Sequence, residues 1–173
     1  SMSILMSIMQ LITIPVQGIT QGIQPVISYN YGAGNIDRVK ATLKRMILVC
    51  LSGTLVLAGV AIFFPEVYTG LFTNNKELLE LTCKVMPVYF LGISIFGIQC
   101  ACQTSFISLG QAKVSLFIAL LRKIILLIPL AIILPKFMGV MGIYRAEPVA
   151  DTISVLTTSV VFVITMKKVL RNK

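Results

Sequence analysis

Apolar residues run almost without interruption through five stretches of this chain, residues 3–28, 41–64, 85–109, 114–134 and 140–166. A helix needs roughly 20 such residues to cross about 30 Å of hydrocarbon, so each stretch is long enough to span a bilayer. The stretches are about twice the length of a barrel strand and lack alternation of polar and apolar positions, which argues against a closed barrel. The links at 30–40, 65–82, 110–113 and 135–139 are short, and none is long enough to separate domains. The pattern predicts an all-α fold, a polytopic membrane helix bundle of about five transmembrane helices in one unit over residues 1–173. The first stretch is too long for a secretory leader core and has neither a basic start nor a small-residue cleavage site, so it is read as a true span.

The first stretch also carries a polar stripe. Ser3, Ser7, Gln10, Gln17, Gln21, Gln24 and Ser28 recur at spacings of three, four or seven, which aligns them on one helix face. Such a face is unsuited to lipid. It either hydrogen-bonds to neighbouring helices or lines a water-filled cavity that contacts solute. Gln99 and Gln103, one turn apart in the third stretch, leave the same two alternatives open.

Composition agrees with a bilayer environment: 57% of residues are hydrophobic, 12% are charged, and mean hydropathy is +0.94. The net charge of +9 is distributed unevenly. Arg38, Lys40, Lys44, Arg45, Lys113, Lys167, Lys168, Arg171 and Lys173 fall on one side of the predicted spans. Lys76, Lys84 and Lys136 fall on the other, with Arg145 just inside the fifth span. The positive-inside rule then places the C-terminus in the cytoplasm of a multi-pass cell-membrane protein. A basic rim against anionic lipid accounts for the charge without any nucleic acid. Cys50, Cys83, Cys100 and Cys102 have no CxxC spacing and the chain has no histidine, so no metal site is expected and the thiols read as small apolar fillers. With no Gly-rich phosphate loop and no Ser/His/Asp set, no catalytic residues and no enzyme activity are expected.

Proline and intramembrane charge mark where the helices depart from plain spans. Pro15, Pro25, Pro87, Pro129 and Pro148 each deprive the carbonyl four residues earlier of its partner, freeing Leu11, Gln21, Cys83, Ile125 and Tyr144 in continuous helices. Kinked, partly hydrated helices suit a bending transporter and also occur in static bundles. Arg122 and Lys123 lie mid-way along the fourth stretch, and Glu147 and Asp151 lie in the first half of the fifth. Counted from the 135–139 turn, Arg122 is roughly 18 Å deep and Asp151 roughly 16 Å deep. An unpaired charge there costs at least about 2.5–3.5 kcal/mol, which predicts an ion pair of Asp151 with Arg122 or Lys123. Glu147 and Asp151 share a helix face and would titrate as a coupled pair, a candidate proton or sodium relay unless Arg122 neutralises Asp151 permanently.

Several motifs in register resemble one family. Gln21-Gly-Ile-Gln-Pro-Val-Ile-Ser-Tyr-Asn-Tyr-Gly-Ala-Gly-Asn35, followed by Arg38, resembles the eighth-helix signature of multidrug and toxic compound extrusion (MATE) transporters. Phe106-Ile-Ser-Leu-Gly-Gln-Ala-Lys113, Leu120-Leu-Arg-Lys123 with Ile128-Pro-Leu130, and Gly139-Val-Met-Gly-Ile-Tyr-Arg-Ala-Glu-Pro-Val-Ala-Asp151 are similar to helices ten to twelve.

The resemblance implies part of a fold of twelve helices in two lobes, working by alternating access and exporting amphipathic, often cationic drugs in exchange for H+ or Na+, with no other cofactor. On that alignment the chain corresponds to helices eight to twelve, a partial C-terminal lobe whose partners would be the N-terminal lobe, the seventh helix and the lipid bilayer. Gln21, Gln24, Tyr29 and Asn30 match the eighth-helix motif and would line the central cavity or the cytoplasmic gate. The tenth-helix equivalent has no carboxylate, unlike the branch that couples through an acid there. The alternatives are a flippase for lipid-linked polysaccharide in the same superfamily, which more cavity-facing cations would favour, and a non-transporting remnant or assembly partner.

Overall fold

The computed structural model describes residues 2–72 and 75–171. Among them, nine helical segments build five membrane-length rods: Ser3–Gly32, Ile36–Phe63, Lys76–Ser108, Ala112–Met138 and Val140–Arg171. In chain order the segments are α1 (Met2–Gly32), α2 (Ile36–Phe63), α3 (Pro65–Thr69), α4 (Lys76–Ile93), α5 (Phe96–Ser108), α6 (Ala112–Leu120), a π-helical segment (Leu121–Leu127), α7 (Ile128–Met138) and α8 (Val140–Arg171). Lys173, counted above among the basic side, lies outside the described residues.

The rods end later or begin earlier than the apolar stretches. The third starts at Lys76 rather than at residue 85, because its charged first turns carry the helix beyond the hydrocarbon, with the Asn75 side chain accepting the Glu77 N–H at 3.1 Å as an N-cap. The predicted 65–82 link thus holds the short α3 and two turns of α4; residues 73 and 74 within it lie outside the described residues. Pro135 does not break the fourth rod: α7 continues to Met138 and turns at Gly139. The family-like motifs coincide with helix ends. At Gly34, in the left-handed region, Asn35 N–H bonds to Asn30 O and Gly34 N–H to Tyr31 O. Gly110 repeats that arrangement after α5, with Gln111 N–H on Phe106 O and Gly110 N–H on Ile107 O. Both satisfy carbonyls that a helix terminus leaves open, and a side chain at either glycine would strain the backbone.

The bundle has two apolar cores. One is centred on Leu5, Ile8, Ile12, Met86, Tyr89, Phe90 and Ile93, where α1 meets α4. The other gathers Ile27, Val39, Met46, Cys50, Cys102 and Phe106 from α1, α2 and α5. Lipid removes most of the hydrophobic incentive for helices to associate, so close approach and hydrogen bonding carry more of the packing. Gly97 lets α5 press its backbone against Cys50 of α2, and Gly92 lets α4 meet Pro148 of α8, where an added Cβ would stand 2.6 Å from the proline Cα. Between α4 and α5 the third rod is interrupted at Ser94 and Ile95. The Thr54 hydroxyl, on α2, donates to Ser94 O there at 3.0 Å. α7 has no buried residue and lies against α8 at the edge of the bundle.

Candidate functional site

An open groove of about 680 Å³ runs between α1, α5 and the fourth rod. α1 presents Gln17, Thr20, Gln21 and Gln24 to it, α5 presents Gln99 and Gln103, and the π-helical segment presents Arg122 and Lys123. The reason lies in the α1 pattern: Leu5, Ile8, Ile12, Val16 and Ile27 bury one face in the cores, which turns the glutamines of the polar stripe outward. Ser28 reaches the bundle instead, its hydroxyl bonding to Ser108 O at 3.0 Å.

The π-helical segment sets the position of the charged pair. Pro129 removes an N–H from the fourth rod, and the turns before it widen from Leu121 to Leu127. Arg122 then passes beneath the groove: its Nε donates to Asp151 Oδ1 at 2.6 Å, and its guanidinium carbon lies 4.5 Å above the centre of the Phe96 ring. Asp151 is 1% exposed and is held by a charge-assisted hydrogen bond. Lys123, the other candidate partner, lies alongside it and faces the groove.

One turn before Asp151, Glu147 is also buried. Tyr89 of α4 donates its hydroxyl to Glu147 Oε2 at 2.5 Å, and the Tyr89 ring stands edge-on to Phe90. The two carboxylates therefore occupy one face of α8 but have different partners, a phenol and a guanidinium. The groove brings together Gln17, Gln21, Gln24, Gln99, Gln103, Arg122 and Lys123, with Asp151 directly behind Arg122. It does not include Tyr29, which is 76% exposed beyond it, or Asn30, whose Nδ2 donates to Val26 O at 2.8 Å.

Sequence reasoning missed Tyr89, Phe96 and Thr20. Tyr89 offered one signal, a hydroxyl-bearing aromatic within an apolar span, but nothing local to it indicates a partner 58 residues away. Phe96 carries no signal, since phenylalanine is expected anywhere in a membrane helix.

Comparison with known proteins agrees with this architecture. A family model described as MatE matches residues 1–133. The multidrug export protein MepA of Staphylococcus aureus is 24% identical over 147 residues, an alignment that covers 84% of this chain and 32% of MepA. An FAD transporter of Shewanella oneidensis is 28% identical over 139 residues, 80% of this chain and 30% of that protein. Among solved structures, the MATE multidrug transporter DinF-BH superposes with a TM-score of 0.86 at 32% identity, over 96% of this chain and 37% of that one. The chain spans about a third of the length of the curated relatives it matches. With the five-rod bundle, the glycine-terminated helices and this match over most of its length, the chain belongs to the MatE family of multidrug and toxic compound extrusion transporters.

Proposed function

We propose that this chain forms part of the C-terminal lobe of a multidrug exporter in the cell membrane and that the α1–α5 groove is this lobe's share of the substrate path. The observation that carries the reading is the groove itself, a polar, amide-lined surface set into an otherwise lipid-facing bundle, with one buried ion pair beneath it. Glutamine side chains both donate and accept, so they suit amphipathic drugs of varied shape, including organic cations, better than they suit one fixed ligand. A second lobe, with the helix preceding α1, would close the open side of the groove. Export would be coupled to entry of H+ or Na+, and Glu147, Asp151 and Arg122 are the groups in this lobe equipped to respond to a cation. The basic C-terminal end of α8 would face the cytoplasm.

The reading is tested by ethidium efflux from cells expressing the two-lobe transporter that carries this chain. Gln21→Ala with Gln24→Ala should reduce efflux about tenfold at equal membrane abundance. Full efflux in that variant would remove the groove from the substrate path. Arg122 and Lys123 both line the groove, which favours as a second reading the flipping of a phosphate-bearing lipid-linked polysaccharide. Flipping of such a lipid, without ethidium efflux, would select it.

A further inference from the structure

α8 treats its hydroxyls in two ways. Thr152, Thr157 and Ser159 each donate to the carbonyl four residues earlier, at 2.7, 2.9 and 2.8 Å. Ser154 and Thr158 do not, although both are 0% exposed: their hydroxyl oxygens have no hydrogen-bond partner among the described residues. The outer oxygen of Asp151, Oδ2, is also unpartnered, as is Oε1 of Gln99 on the adjoining α5. Residues 147, 151, 154 and 158 follow spacings of four, three and four, so Glu147, Asp151, Ser154 and Thr158 form one buried stripe. Lipid cannot supply the missing bonds and the neighbouring side chains do not, which leaves water, for which a row of closely spaced buried oxygens is a suitable lining.

We infer that Asp151 Oδ2, Ser154 Oγ and Thr158 Oγ1 line a buried file of water that carries protons along α8 between the Arg122–Asp151 pair and Thr158. The inference rests on the cation-coupled export reading and names its ion and route. From Asp151 to Thr158 the helix rises about 10.5 Å. A single hard cation holds its oxygens at about 2.3–2.6 Å and so cannot bridge that distance, whereas a few waters can. Hydroxyls donate and accept at once, as relay by successive hops requires. A proton arriving through the file forms an O–H bond on Asp151 Oδ2, the oxygen turned away from Arg122, and leaves by transfer to an adjacent water. The titratable and charged groups facing Asp151 are Tyr89 on α4, Cys100 on α5, Arg122 and Lys123 on the π-helical segment, and Glu147 on α8 itself.

The test uses the complete two-lobe transporter in proteoliposomes containing a pH-sensitive dye, with ethidium as the transported probe. Ser154→Ala with Thr158→Val should lower pH-gradient-driven ethidium flux and its accompanying proton flux at least tenfold while leaving ethidium binding within twofold. Ser154→Thr with Thr158→Ser keeps both hydroxyls and should restore most of the flux. Wild-type flux in the hydroxyl-free variant would overturn the inference. So would flux that is driven by a sodium gradient alone and is lost in that variant, since it would mark an ion site. If the wild-type protein moves no ethidium at all, the export reading fails. Infrared hydrogen–deuterium exchange of the buried carboxyls then decides the file by itself: slower exchange in the hydroxyl-free variant supports it, and an unchanged rate overturns it.

Discussion

Arg122 and Asp151 are worth more to each other than either is to the bundle. Removing one partner leaves a buried charge uncompensated, which costs about 3–5 kcal/mol, whereas replacing both by apolar groups of similar volume is often neutral. Arg122→Ala should therefore sharply lower the thermal midpoint of the purified protein, and Arg122→Met with Asp151→Leu should recover most of the loss. A double variant no more stable than the single would show that the pair holds the helices together outright. Tyr89→Phe removes the hydroxyl on Glu147 and should cost about 1–3 kcal/mol, the usual penalty for a buried acceptor left alone. These side chains were unequally legible in the sequence. Arg122 and Asp151 were readable because depth can be counted from a short turn and charge cannot stay unpaired in hydrocarbon. Tyr89 was not, because its partner is set by the angle at which α4 crosses α8. Ser154 and Thr158 have the right spacing from Asp151, but membrane helices ordinarily satisfy such hydroxyls on their own carbonyls, as Thr152 does.

Along the elements, the rods were legible from length and apolarity, while their interruptions were not. The charged start of α4 looks like a loop when apolarity is the only guide, yet its charges lie on helix that projects beyond the hydrocarbon. Pro135 looks like a terminator, but one missing N–H inside a rod is tolerated. Pro129 acts upstream by widening the helix, and this rotates Arg122 relative to an ordinary α-helical register. Pro129→Ala should restore that register and weaken the Arg122–Asp151 bond, which an Arg122→Met and Asp151→Asn double-mutant cycle measured in the Pro129→Ala background would detect as a coupling energy falling toward zero. Gly97 is a stricter constraint, because its neighbour is the backbone of α2 rather than a yielding side chain. Gly97→Leu should lower stability by about 1–3 kcal/mol or force the helices apart, read as a reduced thermal midpoint in detergent.

Across the whole molecule, one side of the bundle is a polar groove and the rest is mainly apolar, with Ile14, Leu91, Phe137 and Leu156 among the exposed side chains. Lipid accounts for the apolar surface. The groove needs an aqueous path or a second protein surface, and the second lobe proposed above would supply one. An epitope fused after Lys167 should be stained only in permeabilised cells if the basic end is cytoplasmic; staining of intact cells would invert the orientation.

The ring of Phe96 lies under the Arg122 guanidinium and opens α5 just past the interruption of the third rod. It is neutral and touches both groove and ion pair, so it can serve as an observer that leaves the charges undisturbed. A fluorine atom placed on that ring would have its resonance shifted by the cation above it. When Arg122 leaves Asp151, the signal should move, and one spectrum would then give the populations of the paired and unpaired forms in an otherwise unaltered protein.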